Sequence, residues 1–492
     1  MEASWKENYS QTLRQALQEW DVPSVAAGVL QNGEVLFADG FSQSGEIPAP
    51  NAETLFQIGS CTKAFTSVAA ILADRGVLDL DEPVCTYLPE FRLRDEYAGR
   101  HVTARDLLCH RSGLPRHEYA WYGIDFTREA LVHSLQYLEP SVELRSEFQY
   151  NNLGYVVVGY LIERLSGKTW EEFVSDELLA PLGMTRTFLY LDDMEQDGNR
   201  MRPFDRPVIY AESGLREIDL HRTPVEDRAR GVGAPYEPAG SIISCVRDML
   251  KWAAFQTGDG TLADGRRIIS AERMEDLHRP HLVMTGAAVP GRIFQCYGLG
   301  WSCCMYHGRK ELFHTSAIDG FTTALYLIPS LQFAVVANVN MTNCLFCEAA
   351  AAAAVNAVMG LTNDWFAFHH TLNNQMFAGL REYAASIRGV PRPDAPPVHD
   401  ADELTGTYRV KGYNDLVIRR ENGVLSLELN GFRSALSHFH YDVYQLEGYI
   451  GELPPGLTVQ FLSGSDGRID RLEIPLVADP GVKPIVFTRS MA

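Results

Sequence analysis

The stretch that most restricts what this chain can fold into is FQIGSCTKAFTSVAAIL, Phe56 to Leu72. It reads as a buried apolar helix running to Gly76, yet it carries a cation, Lys63, at its mouth, one turn after a serine, Ser60. Residues i and i+3 share a helix face, so the Ser60 hydroxyl and the Lys63 amine can meet. The remainder of that face, Phe65, Val68, Ala69 and Leu72, is apolar and supplies burial. Burial and the positive end of the helix dipole both disfavour the ammonium and lower its pKa. A partly neutral Lys63 can then take the proton of a hydroxyl that is otherwise a poor nucleophile. A surface lysine one turn from an N-cap serine gives the same bare S-x-x-K, a pattern common by chance, so partners elsewhere must decide.

Two further stretches offer them. FQYNNLGYVVVGYLI places Tyr150, Asn151 and Asn152 before a helix from about Leu153 to Leu165, closed by Gly167. A tyrosine beside a lysine can serve as base or relay a proton to a leaving group. An asparagine amide can hold a substrate amide or the lysine, but either asparagine can equally be the N-cap. LFHTSAIDGFTTALYLIP sets His314, Thr315 and Ser316 at the end of a strand before a glycine-containing turn. An imidazole there can bind a substrate carboxylate, and the next backbone N–H can join that of Ser60 in an oxyanion hole. A hydrogen-bonded strand histidine is the plainer alternative.

Around these stretches the chain is ordered as follows. Residues 9–20 form a short amphipathic helix, and SVAAGVLQNGEVLFADG is a hairpin turning at Asn32-Gly33. DLLCHRSGLPRHE is a helix running into a loop, and residues 185–240 are loop-rich, as a site cover or a variable insertion would be. Strands alternate through residues 294–340, and CEAAAAAAVNAVMG is a helix whose alanines permit close approach to a sheet. A further helix covers about Trp365 to Ile387, and RGVPRPDAPPVHDADE is the best linker. Residues 403–492 carry short strands with frequent turns: GTYRV, LVIRR, GVLSLEL, LTVQFL, IDRLEIPL and IVFTR.

In this order and at these separations, Ser60-Cys61-Thr62-Lys63, Tyr150-Asn151-Asn152 and His314-Thr315-Ser316 resemble the S-x-x-K, Y-x-N and [KH]-[TS]-G motifs of the serine β-lactamase and penicillin-binding-protein superfamily. The match is closest to its class C, D-aminopeptidase and esterase branch. LLCHRSGLP, LSGKTWEEFVSDELLAPLGMTRT, EPAGSIISCVRDMLKW and YGLGW also look like family stretches, and the resemblance runs from about residue 10 to 360. The tail is similar to the lipocalin-like C-terminal domains of some members.

The resemblance implies an α+β fold: a β-lactamase-like antiparallel sheet flanked by helices with a helical subdomain, followed by a small all-β, lipocalin-like barrel. The domains expected are a hydrolase domain over 1–388, a linker over 389–402 and the barrel over 403–492. It implies that Ser60 is the acylated nucleophile, that Lys63 and Tyr150 handle its proton, and that Asn152 contacts the substrate amide. His314 and Thr315 would line the carboxylate side, and the N–H groups of Ser60 and Ala317 would form the oxyanion hole. No metal or organic cofactor is implied. One departure is Ser316, where the family usually has glycine; a side chain there would crowd bulky substrates or add a hydroxyl contact, which argues against broad β-lactam hydrolysis. Neutral His314 would hold a carboxylate less firmly than lysine. Lys168-Thr169 imitates the third motif but follows a helix-ending glycine.

Composition narrows the partners. The formal net charge is −20, which repels nucleic acid and anionic membranes. No signal-peptide pattern opens the sequence and no apolar run has the length of a membrane span, and nine cysteines, an odd number, suit a reducing compartment. The expectation is a cytoplasmic protein with a small-molecule or short-peptide substrate, no nucleic-acid or membrane partner, and homo-oligomerisation left open. Cys344-Leu-Phe-Cys347 has no second pair, and Cys61 and Cys303-Cys304 read as packing. His110 should order a loop. Three functions stay open: a serine hydrolase of amides or esters, an acyltransferase using the same acyl-enzyme, and a catalytically silent scaffold.

Overall fold

Asn32 and Gly33 both take positive φ, 51° and 78°, and turn strand β1 (Ser24–Gln31) into β2 (Glu34–Ser42) as the sequence predicts. The computed structural model describes residues 3–490 except 125, 206–215, 218–235, 286–288, 343, 389–391, 393, 449–452, 454–455 and 478–481. The rest of the main sheet comes from far along the chain: β3 (Leu282–Val283), β4 (Arg292–Tyr297), β5 (Ser302–Tyr306), β6 (Arg309–Ile318), β7 (Phe321–Ile328) and β8 (Phe333–Val339). The eight strands lie in the order β2-β1-β8-β7-β6-β5-β4-β3. The N-terminal hairpin joins by pairing β1 antiparallel to β8, from Val25 opposite Val339 to Gln31 opposite Phe333. Strands β7 and β8 are buried along their whole length, as strands covered on both faces must be.

Seven helices matter to the site and its support. They are α1 (Ala3–Trp20), α2 (Thr62–Thr66), α3 (Ala69–Asp74), α4 (Asn152–Ser166), α5 (Glu237–Gly240), α6 (Val246–Gln256) and α7 (Phe346–Met359). On one face of the sheet, Leu13, Leu17 and Trp20 of α1 share a core with Ala349, Ala350 and Ala351 of α7. The alanine run lets α7 lie close to β7 and β8. On the other face, α2, α3, α4 and α6 share the larger core with Phe65, Val156, Leu161 and Trp252, and Phe65 stacks on Trp252 at 4.0 Å.

The stretch expected as one helix is broken. Phe56–Gln57 is a short strand paired with Ile243–Ser244, Gly59–Cys61 is a 3-10 turn, and α2 and α3 are separated at Ser67 and Val68. The cause is local. Ser67 Oγ donates to Lys63 O at 3.0 Å, and the chain tightens, with Ala70 N donating to Ser67 O and Ile71 N to Val68 O. The turn between β4 and β5 presses on the break: a Cβ on Gly300 would sit 2.3 Å from Ser67 Oγ.

The tail closes into an eight-stranded antiparallel barrel: β9 (Gly406–Arg409), β10 (Leu416–Glu421), β11 (Val424–Leu429), β12 (Phe432–His440), β13 (Val443–Leu446), β14 (Thr458–Ser463), β15 (Ile469–Ile474) and β16 (Ile485–Arg489). Pairing of β9 with β16 closes it around Tyr408, Leu427, Val459, Leu472 and Phe487. The sequence reading missed β12 and β13: in β12 a serine, Ser434, takes a buried position beside Leu436 and Phe439, and the register shifts between His438 and His440, so the alternation is blurred. The described part of the expected linker is docked: Tyr441 N donates to Ala395 O, and His399 bridges Asp442 Oδ2 and Gly467 O, both at 2.7 Å. Half of the loop-rich 185–240 segment, residues 206–215 and 218–235, lies outside the described residues. Among the described residues, no helix is long and apolar enough to cross a membrane.

Candidate active site

Ser60 occupies the 3-10 turn that opens the α2 segment. It is half-buried, whereas Gly59, Cys61 and all of α2 are buried. Gly59 has φ +46°, and a Cβ there would lie 2.9 Å from the Ser316 side chain, so β6 and the serine turn meet at a position only glycine fills.

Lys63 has no solvent exposure. Its Nζ lies 3.2 Å from Ser60 Oγ and 2.7 Å from both Asn152 Oδ1 and Ala239 O. Burial, then the nearby Arg116 charge, holds the amine well below the ordinary lysine pKa. A neutral amine has two N–H donors and one lone pair. In that form the two short contacts would take both donors and leave the lone pair toward Ser60, whereas an ammonium would donate to all three acceptors. The Tyr150 ring lies 4.8 Å and the Tyr155 ring 5.3 Å from Nζ.

The acceptors are delivered by close helix packing. Asn151 caps α4, its side chain accepting from Gly154 N, and so frees Asn152 in the first turn to reach Lys63. That divides the two asparagines, which the sequence left interchangeable. Ala239 was not foreseen as a contact. It arrives because Gly159 of α4 leaves room for α5: a Cβ there would stand 2.3 Å from Pro238 Cγ. Thr66 Oγ1 fastens the same segment by donating to Pro238 O at 2.6 Å.

Tyr150 is half-buried and in hydrogen-bonding contact with Ser60; burial pushes its phenol up, against that contact, so it is neutral at physiological pH. His110 brackets it. Its carbonyl accepts from Gln149 N at 2.8 Å and its Nδ1 from Asn151 N at 3.1 Å, while its ring lies 4.3 Å from that of Tyr150. The imidazole is neutral, held well below the usual histidine range by burial and by Lys63.

Strand β6 runs past the serine turn, with Cys61 Sγ 3.5 Å from His314 O. It pairs with β5 only as far as Phe313 and with β7 through Ile318, so residues 314–318 are laddered on one side only. Alternation buries His314 and Ser316 and leaves Thr315 half-buried and Ala317 exposed. His314 differs from expectation. Its Nδ1 donates to Thr315 O at 2.8 Å and its Nε2 accepts from Tyr297 OH at 2.9 Å, so both nitrogens are spent on the protein. Burial and Lys63 depress it to about 3. The imidazole is therefore neutral and hydrogen-bonded at both nitrogens within the protein. Ser316 also differs: its side chain is buried against Gly59, under the serine turn, and does not crowd open space.

The structure thus brings Ser60, Lys63, Tyr150 and Asn152 into one cluster beside the free edge of β6. The decoy Thr169 is a helix N-cap, and Lys168 pairs with Asp176 on the surface. Cys344 and Cys347 are buried and not joined in a disulfide, and among the described residues no His, Cys, Asp and Glu group is placed to hold a metal.

The model of the beta-lactamase family matches residues 10–357, and a domain of unknown function, DUF3471, matches residues 390–489. The chain is 28% identical over 438 residues to an unguisins hydrolase of Aspergillus campestris, covering 84% of this chain and 77% of that protein. It is 25% identical over 429 residues to penicillin-binding protein 4 of Amycolatopsis lactamdurans, covering 83% of this chain and 98% of that one. The octameric penicillin-binding protein homologue from Pyrococcus abyssi shares the fold, with a TM-score of 0.60 at 20% identity over 98% of this chain and 99% of that one. The chain belongs to the beta-lactamase family.

Proposed function

We propose that this member of the beta-lactamase family is a serine hydrolase that forms a covalent acyl-enzyme at Ser60 and cleaves an amide or ester of a small molecule or short peptide. The observation that carries this reading is the approach of Lys63 Nζ to Ser60 Oγ at 3.2 Å, with Asn152 Oδ1 and Ala239 O each 2.7 Å away to take the two N–H groups of a neutral amine. The Ser60 proton passes to the Lys63 lone pair as Oγ attacks the substrate carbonyl. The N–H groups of Ser60 and Ala317 hold the oxyanion. Neutral Tyr150 hands its proton to the leaving group as the tetrahedral adduct collapses, and is reprotonated from Lys63. Water, deprotonated by the same pair, then attacks the ester, and the proton passes to Ser60 Oγ as the acid is released. His314 keeps β6 in place through Tyr297, and Thr315 and Asn152 meet the bound substrate.

A fluorophosphonate probe tests the reading. It should label the wild type at Ser60 and leave Ser60→Ala unlabelled; an unlabelled wild type would favour a silent scaffold. Turnover of a p-nitrophenyl ester across a series of alcohol and amine acceptors separates hydrolysis from acyl transfer. A rate that does not change with any acceptor supports the hydrolase.

A further inference from the structure

We propose that the C-terminal barrel is part of the catalytic apparatus, and that Tyr122 is the positioning residue through which it fixes the end of strand β6. This rests on the acyl-enzyme reading above. Between the Tyr150 region and the barrel runs a strap, residues 116–123, with only one 3-10 turn of its own, Glu118–Ala120. Its backbone groups need partners, and the barrel supplies several. Asn430 Nδ2 donates to Tyr119 O at 2.9 Å and to Tyr122 O at 2.8 Å. Leu453 N donates to Tyr119 OH at 3.0 Å, and the Tyr119 ring is buried in the barrel core. His117, fully buried with φ 43°, lies 2.6 Å from Tyr413 OH and 2.9 Å from Glu139 O.

Asn430 and Gly431 form the tight turn between β11 and β12, with φ 53° and 77°. The strap meets that turn without clearance: a Cβ on Gly123 would lie 3.0 Å from Asn430 O and 3.2 Å from the Phe432 ring. Tyr122 stacks on Phe432 with centroids 5.8 Å apart and planes 5° from parallel. Its hydroxyl then leaves the barrel and donates to Asp319 Oδ1 at 2.7 Å. Asp319, φ 37°, and Gly320 make the turn from β6 to β7, two residues beyond Ala317. At its other end the strap carries Arg116, whose guanidinium lies 5.4 Å from the Tyr150 ring. The barrel therefore grips one piece of chain that touches both the phenol and the turn closing the oxyanion strand. A small shift of that strand misaims an N–H donor whose worth depends on fixed geometry.

The experiment measures kcat and KM for p-nitrophenyl acetate, together with Tm, in the full chain. Tyr122→Phe keeps the stacked ring and removes only the bond to Asp319; kcat should fall about tenfold with little change in Tm, the size of a hydrogen bond to a charged group. Asp319→Ala should match it, whereas Asp319→Asn, which keeps a carbonyl acceptor, should recover most of kcat. Asn430→Ala should lower kcat although it lies in the barrel, and Tyr122→Phe/Asn430→Ala should be no worse than the poorer single variant. Wild-type kcat in Tyr122→Phe and Asn430→Ala, with only Tm reduced, would overturn the proposal and leave the barrel a passive neighbour. Defects that multiply in the double variant would overturn the shared route. Undiminished turnover in Ser60→Ala would instead overturn the acyl-enzyme reading beneath it.

Discussion

Lys63 Nζ lies 2.7 Å from Asn152 Oδ1, across 89 positions of sequence. That contact and the matching one to Ala239 O can occupy both donors of a neutral amine, which in the proposed mechanism leaves its lone pair to Ser60, 3.2 Å away. Lys63→Arg places a group in the same cavity that cannot deprotonate in proteins. Its kcat on a p-nitrophenyl ester should fall about 10³-fold, in the range of a lost general base. Stopped-flow release of p-nitrophenol from the wild type and the variant checks it.

Arg116 is one of the charges that push the Lys63 pKa down, second to burial. As the proposed base, Lys63 would act only when neutral, so kcat/KM should rise with pH through the pKa of Lys63 and then level off. Arg116→Gln removes a positive neighbour, eases protonation of the amine and should move that rising limb to higher pH. His314 adds no limb near neutrality, because burial and Lys63 keep it at about 3. A kcat/KM profile from about pH 4 to pH 9 for both proteins shows the displacement.

Gly59 and Ser316 share one small space. Gly59→Ala meets a positive φ of +46° and a side chain 2.9 Å away, so it should lower stability by about 2 kcal/mol and reduce acylation. Ser316→Gly clears the neighbour but not the φ strain, and should restore part of the loss in the double variant. Urea unfolding and fluorophosphonate labelling rates read the two effects separately.

Asp106 is fully buried between Arg111 and Arg145. Burial opposes its ionisation, but hydrogen bonds and charge from Arg145 and Arg111 outweigh it and hold the carboxyl below its ordinary value. The folded pKa lies below the unfolded one. The contribution is therefore complete above the unfolded carboxylate range and fades as pH falls through the folded pKa. Asp106→Asn should cost about 3 kcal/mol at pH 7, the scale of a broken buried pair. The gap should narrow in acid, as urea titrations at neutral and low pH would show.

Sequence alone determined the local elements. Asn32-Gly33 dictates its hairpin, Gly167 ends its helix at φ 73°, and the alternation through residues 294–340 lays out the strands. These follow from backbone sterics and burial period, which act between neighbours. Sequence also supplied the chemical parts, Ser60, Lys63, Tyr150 and Asn152, as pairs and motifs.

Only the tertiary structure decided how those parts are used. It assigned the cap to Asn151 and the amine contact to Asn152, drew the Ala239 carbonyl onto Lys63 through the gap at Gly159, and broke the helix at Ser67. It also engaged both ring nitrogens of His314 within the protein, because Tyr297 reaches the second one from another strand. Each of these outcomes depends on groups far apart in the chain meeting within hydrogen-bond distance. Such meetings are fixed by packing, which leaves no periodic trace in the order of residues.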